Sequence, residues 1–153
     1  MKKVFLFSLF TILILCTFTA CGSAKKREKV DSDIKNFSYN YGSYSSGYYN
    51  YSILSNGDTV RFVAKGYNGV EIDADIDIDK SYLEELNRII NDNKIYEWDG
   101  FSKRDDDVLD GYSFSLKIEY ENGEIITASG YMKYPDNYND CHEKLSSFLK
   151  TIK

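Results

Sequence analysis

From Asn36 to Asp79 apolar and polar side chains alternate with a period of two, the spacing that sends successive side chains to opposite faces of a strand. Phe37, Tyr39 and Tyr41 form one such set; Gly42-Ser43-Tyr44-Ser45-Ser46-Gly47 interrupts it, and Tyr49, Tyr51 and Ile53 resume it. Asn56-Gly57 signals a two-residue hairpin, because a type I′ turn needs positive φ at both central residues. That turn predicts Ile53 opposite Val60, Tyr51 opposite Phe62 and Tyr49 opposite Ala64. A second two-residue turn at Asn68-Gly69 would set Ala64 against Asp73 and mismatch the faces. A three-residue loop, Tyr67-Asn68-Gly69, restores parity and pairs Ala64 with Ile72, Phe62 with Ala74 and Val60 with Ile76. The same register brings Lys65 opposite Glu71 and Arg61 opposite Asp75, so the run Glu71-Ile72-Asp73-Ala74-Asp75-Ile76-Asp77-Ile78-Asp79 reads as a strand with one acidic, solvated face.

The period then changes. Ser81-Tyr82-Leu83-Glu84 reads as a capping box, and Leu83, Leu86, Ile89 and Ile90 follow at helical spacing, predicting a helix from about Tyr82 to Asn93. Ile95 to Trp98 is expected as a short extended piece. A polar loop runs from Asp99 to Gly111. Ser113 to Tyr120 alternates again, Asn122-Gly123 predicts a second type I′ hairpin, and Glu124 to Met132 returns, with Phe114, Leu116, Ile118, Tyr120, Ile125 and Tyr131 on the core face. Pro135 ends that strand. Tyr138, Cys141, Leu145, Phe148, Leu149 and Ile152 mark a last amphipathic helix from about Asn139 to Ile152. The order β-β-β-β-α-β-β-α predicts an α+β domain, an antiparallel sheet of about six strands with two helices on one face, over residues 36–153.

The 153 residues also contain a feature outside this domain. Lys2 and Lys3 precede a run from Val4 to Ala20 broken only by polar hydroxyls and a cysteine, and Cys21 follows small residues. The stretch Phe18-Thr19-Ala20-Cys21-Gly22 resembles the lipobox of bacterial lipoprotein signal peptides, with Phe18 standing where the family usually has Leu. The resemblance implies a signal peptide over residues 1–20. It also implies a Cys21 that carries fatty-acyl chains such as palmitate, and an extracytoplasmic protein held on the cell membrane by that anchor. An uncleaved transmembrane helix and an ordinary secretory signal are the alternatives; the 17 residues from Val4 to Ala20 stand at the lower limit for crossing a bilayer. Further on, Trp98-Asp99-Gly100-Phe101, Asp110-Gly111-x-Ser113-Phe114 and Pro135-x-x-Tyr138 together resemble small lipoproteins of Gram-positive bacteria. That likeness implies no particular activity.

Charge divides along the same boundary. Residues 22–35 hold five basic and three acidic side chains, whereas residues 36–153 hold 12 basic and 21 acidic. Residues 21–35 lack apolar periodicity and read as a flexible basic tether that can lie against an anionic membrane. The acidic domain argues against nucleic acid as a partner, because phosphate contacts need clustered Lys or Arg. If Cys21 carries lipid, Cys141 has no partner within the mature chain, so stability has to come from packing rather than disulfides.

Candidate chemistry is sparse, and no cofactor is expected. Cys141 and His142 are adjacent on a helix and point about 100° apart, which predicts a buried structural thiol beside an exposed imidazole; a reactive cysteine is the alternative. Asp73, Asp75, Asp77, Asp79 and Glu84 fall at calcium-loop positions, but Ile78 occupies the place of the required Gly and the strand pattern opposes a loop. The remaining candidate is the stretch holding Trp98, Asp99, Asp105, Asp106, Asp107 and Asp110, a possible ligand or weak calcium loop. The tyrosines at 39, 41, 44, 48, 49 and 51 offer a stacking platform for a glycan or peptide, or a core with surface partners. The sequence therefore predicts a lipid-anchored, non-catalytic extracytoplasmic domain that binds an extracellular ligand or protein partner. A small cell-surface enzyme and a weak calcium-binding module are the alternatives.

Overall fold

A computed structural model describes residues 27–153. Seven strands form one sheet in the order β4-β3-β2-β1-β6-β7-β5: β1 (Ile34–Ser43), β2 (Gly47–Asn56), β3 (Thr59–Tyr67), β4 (Asp73–Ile78), β5 (Ser102–Arg104), β6 (Ser113–Tyr120) and β7 (Ile125–Tyr131). Two helices, α1 (Ser81–Asp92) and α2 (Tyr138–Thr151), pack with the apolar face of this sheet in a single core. The α+β class expected from the periodicities is the observed one. The sheet has one strand more than expected and is mixed rather than antiparallel, because Ser102–Arg104 pairs parallel to β7. Three residues reading Ser-Lys-Arg carry no alternation that would announce a strand. Ile95–Trp98, expected as extended, is a 3₁₀ turn.

The parity of the first meander is as expected, and its register is shifted by two. Asn56 pairs with Thr59, so Gly57-Asp58 forms the turn and Ile53, not Tyr51, faces Phe62. Only Gly57 takes positive φ there, the pattern of a type II′ turn, which leaves the non-glycine residues in ordinary conformations. At the next connection Asn68 and Gly69 both take positive φ, and an additional residue between Val70 and Ile72 then restores parity. Val70 fits there because it lies over Gly47 and Gly66, where a Cβ would collide with it. Arg61 consequently stands opposite Asp77 rather than Asp75, and Lys65 opposite Asp73 rather than Glu71. The Arg61 guanidinium nonetheless reaches diagonally to Asp75, with Nη2 donating to Oδ2 at 2.7 Å. Phe62 is buried and Asp75 solvent-exposed, as the alternation requires.

The second hairpin differs by one residue, which exchanges its faces. Ile118 pairs with Ile126, and the Tyr120 N–H donates to the Glu124 carbonyl, closing a three-residue loop with Gly123 at positive φ. Ile126 and Ala128 are therefore core, whereas Ile125 is 44 % exposed and Tyr131 lies on the opposite face. The capping box is also absent: Ser81 is the first helical residue, and its N–H is capped from outside by the Asp79 carboxylate at 2.8 Å.

The described part of the expected tether belongs to the fold. Val30 and Ile34 are core residues, and β1 begins at Ile34. Arg27 donates to Asp99 Oδ2 at 2.6 Å and to Glu124 Oε1 at 2.9 Å. Chain entry is thereby fixed beside the Asn122 turn, at one end of the sheet. The lipobox and Cys21 lie outside the described residues. Among the described residues, no helix is long and apolar enough to cross a membrane.

Candidate binding surface

The six residues expected as a ligand or calcium loop are dispersed by the fold. Trp98 is buried, with Nε1 donating to Asn137 Oδ1 at 2.7 Å. Asp99 is consumed by Arg27 and by the Thr127 N–H, which donates to its Oδ1 at 3.0 Å. Asp105 is held by Lys133 at 2.8 Å, and that hydrogen bond draws its carboxyl below the usual range. Asp106 is paired with Arg104 at 2.7 Å, while Asp107 and Asp110 are exposed. Among the described residues no three of His, Cys, Asp and Glu gather as a metal site would require.

What does converge is aromatic. Trp98 meets Phe114 edge-on at 5.8 Å, Phe101 lies 6.2 Å from Phe114, and Tyr138 lies 4.6 Å from both Phe114 and Tyr134. The stretches Trp98–Phe101, Asp110–Phe114 and Pro135–Tyr138 thus build one structural cluster beneath α2. His142 joins it, correcting the expectation of an exposed imidazole. Its ring stacks on Tyr138 at 5.4 Å and meets Tyr41 edge-on at 4.6 Å, with Nδ1 2.7 Å from the Tyr39 hydroxyl. Burial, with Lys150 nearby, lowers the affinity of this imidazole for a proton. Burial likewise pushes Tyr39, Tyr41 and Tyr138 above the ordinary phenol range. A signal for His142 was present in the sequence: it follows Tyr138 by four residues, so the two share a helix face.

Cys141 is buried with Sγ 3.6 Å from the Asn93 carbonyl, and burial pushes its thiol up to about 11. A thiol held protonated in this way lacks the nucleophilic thiolate that a reactive cysteine needs. Of the six tyrosines offered as a stacking platform, Tyr39, Tyr41 and Tyr51 are core, Tyr49 packs against it, and Tyr44 and Tyr48 remain on the outside.

Among the described residues, four of the six large exposed apolar side chains fall together, whereas Leu54 and Ile125, each 44 % exposed, lie toward the opposite end. Tyr44 is 76 % exposed in the β1–β2 loop, Tyr67 53 % at the end of β3, Leu109 99 % in the loop before β6, and Met132 38 % after β7. The pairings Ser43–Gly47, Tyr48–Tyr67, Gly42–Ser113 and Ser113–Tyr131 put all four at one end of the sheet. Arg27 enters at the other. Sequence periodicity alone does not show this, because it depends on which strand ends the topology aligns. No protein-family model matches the chain, and no curated protein matches it.

Proposed function

We propose that the chain is a lipid-anchored, non-catalytic extracytoplasmic binding domain that meets its partner with the end of the sheet remote from chain entry. The observation that carries this reading is that four of the six large exposed apolar side chains among the described residues, Tyr44, Tyr67, Leu109 and Met132, lie at that end, against two, Leu54 and Ile125, toward the end of the Arg27 contacts. If Cys21 carries the lipid, the six residues that follow up to Arg27 span at most about 20 Å. The end holding Asn122 then faces the bilayer, and β1, with ten residues at ~3.3 Å each, sets the apolar tips on the order of 30 Å farther out. Solvent-exposed apolar side chains gathered in one place mark interaction sites more often than scattered ones do. The calcium alternative loses support because Asp99, Asp105 and Asp106 already neutralise protein cations.

A photo-reactive amino acid placed at Leu109 of the full-length protein in cells tests the reading. A discrete cross-linked species is expected from position 109, and none from position 122. Adducts from position 122 alone, or the same yield from both, would overturn it.

A further inference from the structure

The face of the sheet that the helices leave open carries a row of small neutral side chains. Asn50, Asn40, Ser115, Ser129 and Ser102 are consecutive cross-strand neighbours on β2, β1, β6, β7 and β5. They cover five strands, about 19 Å at ~4.8 Å per strand. The row is internally linked: Asn40 Nδ2 donates to Ser115 Oγ at 3.2 Å, and Ser129 Oγ lies 3.4 Å from Ser102 Oγ. No ionisable side chain interrupts it, although 28 % of the chain is charged. The nearest cation in line, Lys65, is paired with Asp73.

One step nearer the apolar end, the next row on this face reads Tyr67, Tyr48, Gly42, Ser113, Tyr131 and Arg104. Gly42 and Ser113 leave a low floor between the rings of Tyr48 and Tyr131, about 14 Å apart across three strand spacings. Gly42 has to remain glycine, since its φ is 141° and a Cβ would run into Gly47. Arg104 covers the Tyr131 ring at 4.6 Å, which fixes the ring and occupies the cation. Where the neutral row meets β5, a shallow groove of about 460 Å³ opens, lined by Phe101 and by the hydroxyls of Ser102, Ser115, Thr127 and Ser129.

We infer that this face binds a neutral glycan chain lying across the strands, an inference that rests on the binding-domain reading above. Hydroxyl and amide groups exchange hydrogen bonds with sugar hydroxyls in both directions, and flat tyrosine rings accept the apolar faces of pyranose units. A protein partner would instead need an apolar centre to the contact, and an anionic ligand would need free cations. The neutral row supplies neither.

The test uses full-length protein in detergent micelles, with chitotetraose and cellotetraose as separate probes followed by tyrosine fluorescence and NMR shifts. Saturable binding of at least one tetraose is expected, with shifts on β1, β6 and β7 and with affinity unchanged by high salt. The probe that binds more tightly reports whether acetamido or plain hydroxyl groups are read. Tyr48→Ala is expected to weaken binding about tenfold. Ser102→Arg, at the exposed groove rim and away from the core, is expected to weaken it comparably, so that a folding defect in the first variant leaves a second reading. Asp75→Ala, on the same face but off the row, is expected to leave it unchanged. Absence of saturable binding to either tetraose overturns the inference, as does binding that persists in folded Ser102→Arg or fades with salt. If Leu109 still cross-links while the tetraoses fail, the binding-domain reading stands without the glycan; if only the cross-link fails, that reading falls by its own test.

Discussion

The two faces of this sheet are made by the same strands and do different work. On β1, Phe37, Tyr39 and Tyr41 are buried under the helices, whereas Ser38 and Asn40 between them are half-exposed on the open side. The covered face is crowded with rings that exclude water. The open face runs from carboxylates at β4 through neutral amides and hydroxyls, and reaches Arg104 at β5. Alternation separates the two roles residue by residue, so the open face can change in chemistry while the covered face keeps the strands in register.

The largest effect that could break this contrast is Phe62→Ala. Phe62 is 1 % exposed, and a large-to-small change in the core is expected to cost roughly 3–5 kcal/mol in chemical denaturation. A loss near zero would mean that the covered face does not hold the fold. Next comes the pair Ile125 and Ile126. Ile126→Ala is expected to cost roughly 2–5 kcal/mol and Ile125→Ala no more than about 1 kcal/mol, because only the former is buried. Equal costs, or the reverse order, would restore the two-residue turn at Asn122-Gly123.

This pair also shows where the sequence was legible and where it was not. Alternation identified the core face of β1, β2, β3 and β6, since a polar residue at every second position leaves one choice. It could not distinguish registers two residues apart, which keep every face intact; that choice depends on which turn residue takes positive φ. Two adjacent isoleucines make either parity of β7 apolar, so the one-residue slip went unsignalled. The pairing of the acidic loop was hidden for a different reason. Two of the cations that neutralise it, Arg27 and Lys133, come from distant parts of the chain, and only the fold brings them there. The open-face row was equally invisible, because Ser and Asn at alternate positions read as ordinary solvent-facing residues until strand order lines them up.

A smaller effect concerns His142, which lies at the junction of sheet and helix. Its folded-state pKa is lowered, so the unfolded chain binds the extra proton more readily as pH falls below about 6.5. Its contribution to stability is therefore present above that pH and lost as pH falls through the folded value. His142→Phe is expected to flatten the fall of the thermal midpoint as pH drops below about 6.5, before carboxylates such as Asp75 and Asp105, held below their usual range, protonate. An unchanged slope would remove His142 from the buried cluster. The smallest effect is expected from Ser52→Ala on the open face, within about 0.5 kcal/mol of the parent. A loss comparable to that of Phe62→Ala would show that the open face bears structural load after all.

The proposed orientation on a membrane connects the proposed Cys21 anchor with the fold and the distal surface, and one measurement tests it most directly. The full-length protein with the proposed lipid at Cys21, reconstituted in vesicles, is labelled with a fluorophore either at Asn122→Cys or at Leu109→Cys; Cys141 is buried in the folded state. Quenchers attached to lipid headgroups are expected to quench the label at position 122 strongly and to leave the label at position 109 nearly untouched. Equal quenching at the two positions, or stronger quenching at 109, would contradict a domain that stands on its chain-entry end and presents its apolar tips outward.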